Sequence, residues 1–129
     1  MTTQPQAGRG AIRALLVGYG LAGRAFHAPF LATVDGLALA GIVASDSGRR
    51  SQAVGDHPEA TLFDSVDEAL AQADRFDVVV VAAPNRAHVP VASAALDAGL
   101  AVVVDKPLAA TAAEARGLIA RAADAGRML

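Results

Sequence analysis

Val78-Val79-Val80-Val81-Ala82 is an unbroken, mostly β-branched run, and it restricts the folds open to this chain more than any other segment. A strand with one face in water alternates apolar and polar residues. A strand without alternation is covered on both faces, as happens in a parallel sheet packed between helices. Two other segments read the same way: Ile12-Arg13-Ala14-Leu15-Leu16-Val17, ended by a glycine, and Ala101-Val102-Val103-Val104. Residues 37 to 44 form a further apolar strand, and Thr61-Leu62-Phe63 a short one.

Helical patterns lie between them. Residues 22 to 34 carry Phe26, Phe30, Leu31 and Val34 at helical spacing, followed by the turn pair Asp35-Gly36. A short helix is expected over 48 to 54. Ser65 and Glu68 have the spacing of a capping box and open a helix ending near Asp74. Pro90 suits the first turn of a helix that Gly99 ends, and Thr111 with Glu114 opens a last helix that ends at Gly126. Strand and helix in regular alternation predict βαβ units: a doubly wound α/β fold with a mostly parallel sheet. Residues 1 to 10 read as a loose tail and residues 11 to 129 as one domain. A sixth strand is expected where the sequence stops, after Gly126.

Composition excludes several functions. With 53% hydrophobic and 19% charged residues, a chain of 129 residues can build one compact core. The net charge of −2, without a basic stripe, argues against nucleic acid and anionic membrane surfaces as partners. No cysteine is present, so disulfides, a thiol nucleophile and a cysteine-based zinc site are excluded, and a cytoplasmic location is expected. Asp64, Asp67 and Asp74 read as loop or cap carboxylates without metal-ligand spacing.

The chemistry concentrates at three loops. Gly18-Tyr19-Gly20-Leu21-Ala22-Gly23 matches G-x-G-x-x-G between a predicted strand and a predicted helix, at the first βα turn. There the first glycine allows a tight turn, the second lets backbone approach a pyrophosphate, and the third lets helix pack close to strand. No Lys-Ser or Lys-Thr follows, so this is not a P-loop. The acidic residue expected about 20 positions on is replaced at the strand end by Ser45, with Asp46 just beyond and Arg49 and Arg50 after it. Serine followed by arginines suits a 2′-phosphate, which tilts the expected cofactor from NAD toward NADP. The loops after the fourth and fifth strands bring Ala83-Pro84-Asn85-Arg86-Ala87-His88 and Asp105-Lys106-Pro107-Leu108 to the same sheet edge.

These three segments, in this order, resemble the N-terminal domain of the Gfo/Idh/MocA (glucose–fructose oxidoreductase / inositol dehydrogenase) family over about residues 11 to 129. The stretch from Gly18 to Pro29 resembles the fingerprint of one branch. Pro84-Asn85-Arg86-Ala87-His88 resembles Pro-Asn-x-x-His, and Asp105-Lys106-Pro107 the family's Glu-Lys-Pro. The resemblance implies a Rossmann domain binding NAD or NADP, and redox chemistry on a sugar, polyol or related hydroxy compound. It gives Lys106 the family lysine's place beside nicotinamide and substrate, where an ammonium stabilises a developing alkoxide. It also implies cofactor contacts from Gly18, Tyr19, Gly20, Leu21, Ala22, Gly23, Ser45, Arg49, Ala83, Pro84, Asn85, His88, Asp105 and Lys106, and a cis bond at Pro107.

Asp105 replaces the family's usual Glu, with a shorter reach. His88 has two readings, a cofactor contact or a structural role; His27 reads as packing and His57 as surface. The family's C-terminal α+β domain, which by the resemblance holds substrate and mediates oligomer contacts, is expected to lie outside these 129 residues, and this chain alone is expected to be the nucleotide-binding half. A stand-alone dinucleotide-binding module is the alternative. An S-adenosylmethionine-binding fold would leave Asp105-Lys106-Pro107 unexplained.

Overall fold

The computed structural model describes residues 10–129, so the expected tail falls, apart from Gly10, outside the described residues. Five strands form one sheet: β1 (Ile12–Val17), β2 (Leu37–Val43), β3 (Thr61–Phe63), β4 (Val78–Val81) and β5 (Ala101–Val104). Their order is β3-β2-β1-β4-β5, with every neighbouring pair parallel. After β3 the chain crosses to the far side of β1 and builds outward from there. The winding therefore reverses between β1 and β4, and a crevice for ligands opens beyond their carboxyl ends.

Burial on both faces follows from the apolar runs. Leu15 and Val17 of β1 face one way, with Val79, Val81 and Val102. They pack against Ala69 of α3 (Val66–Leu70), Ala92 and Leu96 of α4 (His88–Asp97), and Leu118 and Ala122 of α5 (Ala112–Ala125). Leu16, Ile42 and Val80 face the opposite way, onto Ala28 of α1 (Ala28–Thr33) and Ala53 of α2 (Ser47–Asp56). The parallel, doubly covered sheet expected from Val78–Val81 is what forms. No helix of the described residues is long and apolar enough to cross a membrane.

Three local features differ from the sequence reading. The helix expected over 22 to 34 is π-helical across Ala22–His27 before α1 begins, with the Ala28 N–H reaching back to the Gly23 carbonyl. Phe26 (61% exposed), Phe30 (66%) and Val34 (45%) point to solvent instead of forming a core face. The reason is the closeness of this segment to the sheet: its buried positions are Gly23 and Ala28, and a phenyl ring has no room there. The helix expected to end near Asp74 stops at Leu70, and a separate 3₁₀ turn covers Ala73–Arg75.

After Gly126, in the left-handed conformation at the end of α5, the chain turns back along β5, and the Met128 carbonyl accepts a hydrogen bond from the Val102 N–H (3.0 Å). That is the side of β5 where a sixth strand is expected.

Candidate functional site

The glycine loop is built by close approach. Gly18 leaves β1 with φ +102°, and a Cβ there would lie 2.7 Å from the Ala82 carbonyl oxygen. A Cβ on Gly23 would overlap the Gly18 carbonyl oxygen. Gly20 is different: beside it only the Arg49 guanidinium comes within range, at 3.8 Å. Side chains of Asp46, Ser65 and Thr111 cap α2, α3 and α5, but no side chain caps the helix that starts at Ala22. The N–H groups of its first turn thus have no side-chain acceptor among the described residues, and a groove lined by Tyr19, Gly20, Leu21, Arg24 and Arg49 opens beside them. Free N–H groups and the helix dipole suit phosphate oxygens, so the cradle fits the pyrophosphate of a dinucleotide.

Tyr19 does more than fill an x position in the motif. Its ring is buried, and its hydroxyl donates to Asp56 Oδ2 at 2.6 Å. The same carboxylate oxygen accepts from Arg24 Nε at 3.2 Å. The last turn of α2 is thereby tied to the glycine loop and to the helix that follows it. His57, expected at the surface, is partly covered and meets the Tyr19 ring edge-on at 6.2 Å. The signal in the sequence was a tyrosine inside the glycine motif, which has no need to be polar there.

This network and one other are pH-sensitive. Burial, then the bond to Asp56, raises the Tyr19 hydroxyl above the ordinary phenol range. The Tyr19 and Arg24 hydrogen bonds hold Asp56 below the usual carboxylate range. Asp77 is lowered too, by the Arg13 side chain and backbone N–H, which reach its carboxylate at 2.8 to 3.2 Å. Depressed carboxylates contribute stability that is complete above their unfolded value of about 4 and is lost as pH falls through the folded values. A raised phenol contributes stability below about pH 10 that is lost as pH rises further. Urea midpoints should therefore hold steady through neutrality, drop below about pH 4, and drop again above about pH 10. Asp77→Asn should shrink the acid-side drop, and Tyr19→Phe the alkaline one.

Just after β2, Ser45 is exposed. Asp46 is the N-cap of α2, its Oδ2 accepting from the Arg49 N–H at 2.9 Å. That carboxylate is engaged with its own helix. Arg49 reaches over Gly20, whereas Arg50 pairs with Asp64. A cleft above the switch point is bordered by Gly18, Tyr19, Ser45, Arg49, Ala83 and Pro84.

The other two loops meet through histidines. His88 is 1% exposed, with Nδ1 2.7 Å from the Pro107 carbonyl oxygen and Nε2 2.9 Å from the Ala83 carbonyl oxygen. Of its two readings the structure favours the structural one: both ring nitrogens are taken up by backbone, and none points into the cleft. His27, expected as packing, instead comes within 3.7 Å of Asp105 Oδ2 through Nε2. The π-helical segment thus ends on the loop that carries Lys106. Asp105 also accepts the Lys106 N–H through Oδ1 at 3.0 Å, and the Lys106-Pro107 bond is cis. Lys106 is exposed and, among the described residues, has no carboxylate in ion-pair range. Asn85 is exposed at the start of the turn before α4, bordering a groove with Arg86 and Glu114. The described residues hold no cluster of three or more metal-ligating side chains.

The sequence profile of the Gfo/Idh/MocA oxidoreductase family, NAD-binding Rossmann fold, matches residues 12–129. The chain belongs to this family. Its Gfo/Idh/MocA relatives include the uncharacterized oxidoreductase YdgJ of Escherichia coli K12, 42% identical over 92% of this chain and 33% of YdgJ. A second is the NADP(+)-dependent scyllo-inositol 2-dehydrogenase IolW of Bacillus subtilis, 34% identical over 88% of this chain and 30% of that protein. Among solved structures, GenD2 from gentamicin A biosynthesis in complex with NAD superposes with a TM-score of 0.85 at 30% identity, over 98% of this chain and 36% of GenD2. An NAD-binding protein from Listeria innocua superposes at 0.83 with 26% identity, over 91% of this chain and 34% of that one. The chain thus spans about a third of the length of the Gfo/Idh/MocA proteins it matches.

Proposed function

We propose that this domain is the nucleotide-binding half of an NAD(P)-dependent oxidoreductase acting on a sugar, polyol or related hydroxy compound. The observation that carries the reading is the convergence of the uncapped glycine-loop helix, the Pro84-Asn85 loop and the Asp105-Lys106 loop at one sheet edge, beside the switch point. The name of IolW, an inositol dehydrogenase, supports the substrate class. Gly18, Gly20 and the N–H groups of Leu21, Ala22 and Gly23 would hold the pyrophosphate, Ser45 the adenosine ribose and Arg49 its 2′-phosphate. Pro84 and Asn85 would line the path toward nicotinamide, whose ring exchanges a hydride with the substrate. Lys106, an exposed ammonium without a carboxylate partner among the described residues, would hold a substrate oxygen and stabilise the alkoxide that forms there.

The cofactor we infer is NADP in preference to NAD. Arg49 projects toward the dinucleotide cradle, and Asp46, the carboxylate that follows Ser45, accepts the Arg49 N–H at its own helix N-terminus. Titration of the 129-residue chain by calorimetry or nucleotide fluorescence tests the reading. NADPH should bind, and no binding of NADPH or NADH at millimolar concentration would rule it out. Arg49→Ala should weaken NADPH by about 10- to 100-fold, the range of a charge-assisted hydrogen bond, and leave NADH nearly unchanged. Asp46→Ala should cost about 1 kcal/mol of stability as a lost cap without altering cofactor preference. A switch in preference on Asp46→Ala would assign ribose reading to that carboxylate.

A further inference from the structure

His88 is the one buried polar or charged side chain among the described residues, and nothing in the proposed chemistry uses it. Both of its hydrogen-bond partners are backbone carbonyl oxygens, which only accept. A neutral imidazole has one N–H, so it would press a bare nitrogen lone pair against one of the two oxygens. Only the doubly protonated ring donates to both.

The two carbonyls belong to different loops. Ala83 precedes Pro84 and Asn85 on the loop after β4, and Pro107 follows Lys106 on the loop after β5. The strand ends are also joined by a ladder bond from the Asp105 N–H to the Val81 carbonyl at 2.9 Å, and Ala83 and Leu108 pack against the same core.

We propose that His88 is a positioning residue whose doubly protonated ring clamps the loop after β4 to the loop carrying Lys106. The effect on binding rests on the dinucleotide reading above; the protonation state does not. The ring has no counter-charge. Arg86 lies on its own turn, Asp105 and Lys106 on the loop opposite, and Glu114 at the start of α5, while Asp67 and Glu68 of α3 are exposed. None of these carboxylates lies within ion-pair range of the ring. The Pro107 and Ala83 carbonyl oxygens are the hydrogen-bond partners of the ring among the described residues.

Two measurements on the 129-residue chain decide the proposal. With ¹⁵N-labelled histidine, both ring nitrogens of His88 should carry slowly exchanging protons, one toward each carbonyl. A bare ring nitrogen there overturns the clamp. Assignment by removing His27 and His57 in turn keeps this measurement independent of whether a His88 variant folds. The second is NADH affinity in His88→Asn, whose shorter side chain cannot span both carbonyls. Affinity should fall several-fold while the circular-dichroism spectrum stays that of the wild type. Unchanged NADH affinity in a folded His88→Asn overturns the proposal. Failure of NADH and NADPH to bind would count against the dinucleotide reading, while the ring spectrum would still decide the protonation state.

Discussion

Gly23→Val is expected to cost the fold far more than Gly20→Ala in the same loop. A Cβ at this position overlaps the Gly18 carbonyl oxygen, which is backbone and cannot swing aside. Relief requires the first helix to lift off the sheet, and Ala28 would lose its packing against Leu16, Ile42 and Val80. Overpacking ordinarily costs about 1 to 3 kcal/mol and more where neighbours are rigid, so a destabilisation of about 3 kcal/mol is expected in urea. Gly20→Ala is the matched comparison. A methyl there meets only the Arg49 guanidinium at 3.8 Å, so stability should hold within about 1 kcal/mol. The same methyl intrudes on the proposed pyrophosphate cradle, so NADPH affinity should drop. Equal stability losses for the two variants would contradict the packing described for Gly23.

Lys106→Ala should have the largest effect on chemistry. In an enzyme that joins this domain to the remaining two thirds typical of its relatives, turnover is expected to fall by about 10²- to 10³-fold, as when one group stabilising a developing oxyanion is removed. NADPH affinity should change far less, because the ammonium stands exposed on the loop after β5, outside the cleft bordered by Gly18, Ser45 and Arg49. Steady-state kinetics alongside NADPH titration separates the two. Unchanged turnover would remove Lys106 from the chemistry, and a loss confined to NADPH affinity would make it a cofactor contact.

The exposed apolar residues show where sequence pattern misleads. Phe26 and Phe30 recur at the interval of a core-facing helix stripe, yet both face solvent. The stripe assumes an ordinary helix-to-sheet distance, whereas contact at Gly23 and Ala28 brings this segment too close to the sheet for large rings, and its first turns are π-helical. The helix after Ser65 was also drawn too long, because the capping box marks only its start. By contrast, the caps at Ser65 and Thr111, the turn at Gly126 and the doubly buried β4 depend on a few neighbouring residues. They were legible because the physics that makes them is local.

The sequence by itself determined the order of strands and helices, the parallel sheet and the membership of the three loops at its carboxyl edge. Those follow from periodicity, from glycines with steric work to do, and from motif spacing along the chain. Only the tertiary structure decided what each polar side chain is bonded to: that Asp46 caps its own helix, that Tyr19 binds Asp56, that His27 reaches Asp105, and that His88 holds two carbonyls. These contacts, apart from the cap, join segments distant in sequence or loops that meet only when the sheet has formed. A hydrogen bond depends on placement within a few tenths of an ångström, and no residue pattern along the chain carries that information.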